Sequence, residues 1–148
     1  MKKHLIIFLI LAIQFGGCIS PKKVYNDTPI DKENGTIKKI LKSANSETYD
    51  KSVIVFTSWF EKDTIRIISE KKIVFERVVK TSPETGLSTL TGISNDESAK
   101  IQILSPKTFE IKLKKAHLKR YKFVYIKRNA LKKDDFSLEY SNEWKKFM

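Results

Sequence analysis

From Ser52 onward the chain is a succession of short β-branched and aromatic runs separated by polar turns, and this rhythm constrains the fold more than any other feature. Strands are expected near residues 52 to 60, 63 to 69, 72 to 80, 87 to 93, 99 to 104, 108 to 114, 121 to 128 and 136 to 141. The links Glu61-Lys62-Asp63 and Glu70-Lys71-Lys72 are too short for crossover helices, so neighbouring strands should pair antiparallel. The expected class is all-β: a small antiparallel β-sandwich of about seven to eight strands in meander or Greek-key order, with a small barrel as the alternative. In Phe109-Glu110-Ile111-Lys112-Leu113-Lys114 period two sends apolar and charged side chains to opposite faces, as in a half-buried strand. Val53-Ile54-Val55-Phe56 and Phe123-Val124-Tyr125-Ile126 are apolar on both faces, which suits central strands covered on both sides.

The N-terminus has a different character. Lys2 and Lys3 precede nine apolar residues, Leu5 to Ile13, and then Phe15-Gly16-Gly17-Cys18; that order is the pattern of a secretory signal peptide over residues 1–17. Nine helical residues reach only about 14 Å, half the hydrocarbon thickness, so a permanent membrane span is not expected. Phe15-Gly16-Gly17-Cys18 resembles the lipobox of bacterial lipoproteins, a resemblance confined to the signal region. It implies that the Cys18 thiol is acylated with long chains such as palmitate and becomes the first residue of the mature protein. Two or more chains on one cysteine give lasting attachment. The following residues, Ile19-Ser20-Pro21-Lys22-Lys23, show neither an aspartate next to the cysteine nor an acidic cluster, so the periplasmic face of an outer membrane is the expected location. Cys18 is the only cysteine, which excludes an internal disulfide and leaves the domain to its own core.

Residues 18–35 are polar, hold Pro21, Pro29 and Gly35, and read as a lipidated flexible tether with an r.m.s. reach of about 23 Å. Within residues 36–51, Thr36 is a candidate cap for a short helix whose Ile37, Ile40, Leu41 and Ala44 share one face. That face suits packing on the domain, or contact with a membrane or partner. The sandwich domain is expected over residues 52–148.

Charge is concentrated. The formal net charge is +12, and residues 107–133 hold eleven Lys or Arg against one acid, Glu110. If the strands at 108–114 and 121–128 form a hairpin, Lys112, Lys114, Lys122 and Arg128 lie close together, with Lys115, Lys119 and Arg120 at its tip. Lys112, Lys114, Lys119, Arg120, Lys122 and Arg128 are therefore the candidate ligand-binding residues. The partners such a patch would attract are anionic lipid, acidic glycan or an acidic protein; the plainer alternative is a solvated sheet face. Nucleic acid is not expected, because no recognition motif accompanies the charge.

Catalysis is not expected. His117 is the single histidine beyond the signal, the acid pairs Asp96-Glu97 and Asp134-Asp135 sit in turns, and no Cys or His spacing suits a metal or cofactor. Trp59, Phe60, Tyr121, Phe123 and Tyr125 are expected to pack in the core, and Trp144 and Phe147 to close one end of the sandwich. Residues 81–86 form the longest turn cluster, a binding loop by position. The function these features suggest is a lipid-anchored, non-enzymatic binding module, or alternatively an assembly subunit that pairs through an exposed sheet edge.

Overall fold

The computed structural model describes residues 20–105 and 107–147; the signal region and Cys18 lie outside them. In chain order the elements are β1 (Lys22–Asn26), α1 (Gly35–Ser43), β2 (Lys51–Phe56), β3 (Glu61–Ser69), β4 (Lys72–Lys80), β5 (Thr89–Ser94), β6 (Ala99–Leu104), β7 (Thr108–Leu113), α2 (Lys115–Arg120), β8 (Phe123–Arg128) and β9 (Phe136–Ser141). Five strands form one sheet in the order β1-β9-β8-β2-β5, and four form the other in the order β4-β3-β6-β7. The sheets face each other across a core of Ile54, Phe56, Val124 and Ile126 on one side and Ile65, Ile67, Ile101 and Ile111 on the other. This is the expected β-sandwich.

The pairing is mixed rather than wholly antiparallel. Strands joined by short links do pair antiparallel, as in β3–β4 and β6–β7, but β1–β9 and β2–β8 are parallel. Short links constrain only sequence neighbours; β2 and β8 meet after the chain has built the whole second sheet. Glu61-Lys62-Asp63 is not a link but the start of β3, with a register shift between Glu61 and Asp63. The true turn is residues 57–60, which carries the chain from one sheet to the other. Glu70 and Lys71 form the two-residue β3–β4 loop, both at positive φ, the backbone that a tight antiparallel hairpin prefers.

Two further expectations are corrected. The segment 18–35 is not wholly a tether, because β1 lies within it and pairs with β9 from Lys22 opposite Ser137 to Asn26 opposite Ser141. Tyr25 also stacks on Tyr140, with ring centroids 5.3 Å apart. Likewise β7 and β8 are not a hairpin: they belong to different sheets, and six of the residues between them form α2. Leu118 on α2 is buried in the main core, so the intervening segment is anchored rather than exposed as a loop.

A third layer covers the outer face of the five-stranded sheet. Asn34, not Thr36, caps α1: its Oδ1 accepts from the backbone N–H groups of Thr36 and Ile37. Ile37, Leu41 and Ala44 then pack on Val53, Val55, Phe123 and Tyr125, with Ile40, Trp144 and Phe147 at the margin. Strands β2 and β8 are therefore covered on both faces, as their unbroken apolar runs require. Trp144 and Phe147 belong to this outer layer and do not close the sandwich end.

The registers define two ends. Asn26, Ser141, Phe123, Lys51 and Ser94 lie at one, and Lys22, Ser137, Lys127, Phe56 and Thr89 at the other. The first end carries α2 and the residues between α1 and β2. The second carries the turns 57–60 and 129–135.

Candidate functional site

At the first end lies a cleft of about 710 Å³ between α1, the 44–50 turn and the α2–β8 junction. Its apolar floor comes from Ile30, Leu41, Leu118 and Tyr121. Its walls carry eight cationic side chains, Lys32, Lys38, Lys39, Lys42, Lys51, Lys119, Arg120 and Lys122, against two acids, Glu33 and Glu47. A concave site lined predominantly by one sign of charge concentrates ions of the other sign.

Local hydrogen bonds fix the walls. Ser52 Oγ donates to the carbonyls of Leu118, at 2.7 Å, and Tyr121, at 3.2 Å, satisfying oxygens that the end of α2 leaves unpaired. Lys122 Nζ donates to the carbonyls of Thr48 and Lys51, at 2.6 and 2.7 Å, tying the 44–50 turn to the start of β8. Burial lowers the pKa of this ammonium. Lys122 is thus a brace, with two of its three N–H donors engaged. Lys32 lies over the Tyr49 ring, 3.8 Å from its centroid, and Tyr49 is exposed at the rim.

Several rim cations are held by carboxylates. Lys119 pairs with Asp96 at 3.0 Å, Lys38 with Glu33 at 2.9 Å and Arg120 with Asp27 at 2.9 Å. Asp27 also accepts from Tyr121 Oη at 2.6 Å; that bond and the Arg120 charge hold its carboxyl below the usual aspartate range. Such exposed pairs open readily for a competing anion, since water and salt screen them. Lys39 and Lys42 form no ion pair among the described residues.

Of the sequence-derived candidates, only Lys119, Arg120 and Lys122 reach this cleft. Lys112 is exposed on β7, in the other sheet. Lys114 stands at the N-cap of α2, and Cys18 lies outside the described residues. Arg128 is buried: its Nη1 donates to both Asp63 carboxylate oxygens at 2.8 Å, and its Nε to the Lys133 carbonyl at 2.7 Å. It is unavailable to a ligand. The expected stripe is divided because β8 separates Lys122 at one end of the sandwich from Lys127 and the 129–135 turn at the other.

Neither protein-family models nor curated proteins match this chain. The site must be read from its own chemistry. No group of His, Cys, Asp and Glu among the described residues is arranged to hold a metal.

His117 is not at a hairpin tip but on α2, its ring 5.2 Å from that of Tyr25 and 5.0 Å from that of Tyr140. Tyr140 Oη is buried without a partner, and burial pushes its pKa up to about 12. Burial, followed by the charges of Lys23, Lys114 and Arg120, lowers the His117 pKa. A histidine in the unfolded chain titrates near 6.5 and so takes up its proton before the folded one as the pH falls. The stability due to neutral His117 is full above about pH 6.5 and declines below it, toward the folded pKa. Urea unfolding at about pH 7.5 and about pH 5.5 should show this loss, and His117→Phe should remove it across that interval, which lies above ordinary carboxylate titration.

Proposed function

We propose that this chain is a lipid-anchored, non-enzymatic module of a bacterial envelope that binds an anionic envelope component or an acidic protein segment in the cleft between α1 and the α2–β8 junction. The observation that carries this reading is the lining: eight cations against two acids over an apolar floor. The floor suits a ligand with an apolar portion beside its negative charge. The lipobox-like Phe15-Gly16-Gly17-Cys18 supports the anchor, and acylation of Cys18 would hold the domain to the periplasmic face of an outer membrane. Mass spectrometry of the membrane-extracted protein tests the anchor directly: a diacyl or triacyl Cys18 is expected at the mature N-terminus, and a free thiol there would contradict it.

For the cleft, the test is charge reversal to glutamate at three lysines: Lys39 and Lys42, which form no ion pair among the described residues, and Lys119, whose pair with Asp96 is solvent-exposed. At about 1 kcal/mol per cation held near a negatively charged surface, losing three contacts weakens binding on the order of a hundredfold. The wild-type interaction should weaken as salt rises. Unchanged binding by the triple variant would remove the cleft from the account.

A specific observation also favours assembly through a sheet edge. Strand β4 is a nine-residue edge strand on which Ile73, Val74 and Val78 are each more than half exposed. A long edge with apolar side chains is a template for strand addition. Ile73→Lys with Val78→Lys should block such assembly while changing stability by no more than about 0.5 kcal/mol per site. Size-exclusion chromatography with light scattering distinguishes this from cleft binding, which the two substitutions should leave intact.

A further inference from the structure

The end of the sandwich opposite the cleft exposes a different set of side chains. Trp59, in the 57–60 turn, is 54 % exposed, and Leu131, in the 129–135 turn, is 94 % exposed. The turns are neighbours: Arg128 N–H donates to the Ser58 carbonyl at 3.3 Å, and Lys133 Nζ reaches Glu61 at 2.8 Å. Trp59 adopts φ of 73°, a left-handed conformation uncommon for a bulky residue, which the 57–60 turn imposes. The 129–135 turn and the adjoining ends of β7 and β8 carry Lys107, Lys127, Lys132 and Lys133 together with the acids Asp134 and Asp135; Lys107 pairs with Asp134 and Lys133 with Glu61, whereas Lys127 and Lys132 have no ion pair among the described residues.

The same end receives the N-terminus. Strand β1 begins at Lys22 opposite Ser137, beside the last residues of β8. Lys22 follows Cys18 by four residue steps, which span at most about 14 Å. An acyl group on Cys18 therefore holds this end, and not the cleft, against the bilayer.

We infer that the end bearing Trp59 and Leu131 is a membrane-contact face that seats on an anionic lipid surface. Tryptophan favours the headgroup boundary, an exposed leucine can enter the acyl region, and flanking lysines meet anionic headgroups. The cleft then opens away from the bilayer, toward soluble or opposing envelope partners. This inference rests on the proposed acylation of Cys18.

The test uses the full chain, acylated and reconstituted in vesicles of phosphatidylglycerol and phosphatidylcholine, with Trp144→Phe so that Trp59 is the sole tryptophan. Vesicle flotation reports the anchor; quenching of Trp59 by bromine-labelled lipid reports the face. Trp59 emission should move to shorter wavelength and be quenched, whereas Trp144, read in the Trp59→Phe chain, should be neither. Lys132→Glu with Lys133→Glu, or Leu131→Asp alone, should abolish most of the quenching without preventing flotation. Flotation without Trp59 quenching overturns the contact face and leaves the anchor standing. A chain that does not float overturns the anchor and this inference together. Quenching that survives all three substitutions overturns the role given to the 129–135 turn.

Discussion

Replacing Asp63 by alanine is expected to cost about 3–5 kcal/mol of stability and to lower the melting temperature by about 10–20 °C. Asp63 and Arg128 are 3 % and 4 % exposed at the side chain and join β3 of one sheet to β8 of the other. Asp63 also accepts from the Glu61 N–H at 2.9 Å, and the Arg128 guanidinium lies over the Phe136 ring. The large cost comes from the guanidinium left buried without its counter-ion, not from the worth of the pair itself. The double replacement Asp63→Leu with Arg128→Met should consequently recover most of the loss. Equilibrium urea unfolding of the wild type, Asp63→Ala and the double variant measures it, and similar destabilisation of the single and double variants would contradict the buried-charge explanation. The cleft, at the other end of the sandwich, should bind normally wherever the variants are folded.

Substitution of Gly92 is expected to detach the outer layer. Gly92 on β5 sits directly under the end of α1: a Cβ there would stand 1.9 Å from Ser46 Oγ and 2.3 Å from the Ala44 carbonyl oxygen. Neither distance is tolerable, and the second involves backbone. Ser46 is fully buried with its hydroxyl bonded to that same carbonyl, so the helix end must move. Overpacking of this kind costs about 1–3 kcal/mol. Gly92→Val should therefore lower stability and also disorder α1, which carries Lys38, Lys39 and Lys42 into the cleft wall. Hydrogen exchange should show lost protection over Gly35–Ser43 with the two sheets retained, and ligand binding should fall with it. Retained protection in α1 would mean that the close approach is relieved in some other way.

These two sites show what linear sequence conveys and what it withholds. Alternation and β-branching locate β2 to β9 because burial on a pleated surface imposes period two, and Val53–Phe56 and Phe123–Ile126 betray their central positions by lacking it. Strand β1, Lys22-Lys23-Val24-Tyr25-Asn26, carries no such mark. It is an exposed edge held by main-chain bonds to β9 and by one tyrosine stack, so its side chains are free to be polar. The segment Lys115–Arg120 is misread as a hairpin tip because a short helix anchored by Leu118 alone is nearly as polar as a turn.

The candidate site was legible only in part. Counting charge along the chain finds the cationic segment but not its division, because a six-residue strand of about 20 Å carries Lys122 and Arg128 to opposite ends. It also cannot show that Arg128 meets an acid 65 residues away. The cleft draws Lys32, Lys38, Lys39, Lys42 and Lys51 from a part of the sequence with balanced charge. The available signal was the polar face of α1, whose lysines lie opposite the Ile37, Leu41 and Ala44 stripe.

Occupancy of the basic cleft by an anion is what the proposed function requires. Its most direct test is a photo-crosslinking residue in place of Tyr49, which is 81 % exposed at the cleft rim, activated in intact cells and followed by mass spectrometry of the adduct. An adduct with a phosphate-, sulfate- or carboxylate-bearing molecule is expected, lost in the Lys39→Glu, Lys42→Glu, Lys119→Glu background while that variant still unfolds cooperatively. An adduct that forms equally in that background, or one with an uncharged molecule, would contradict occupancy of the cleft by an anion.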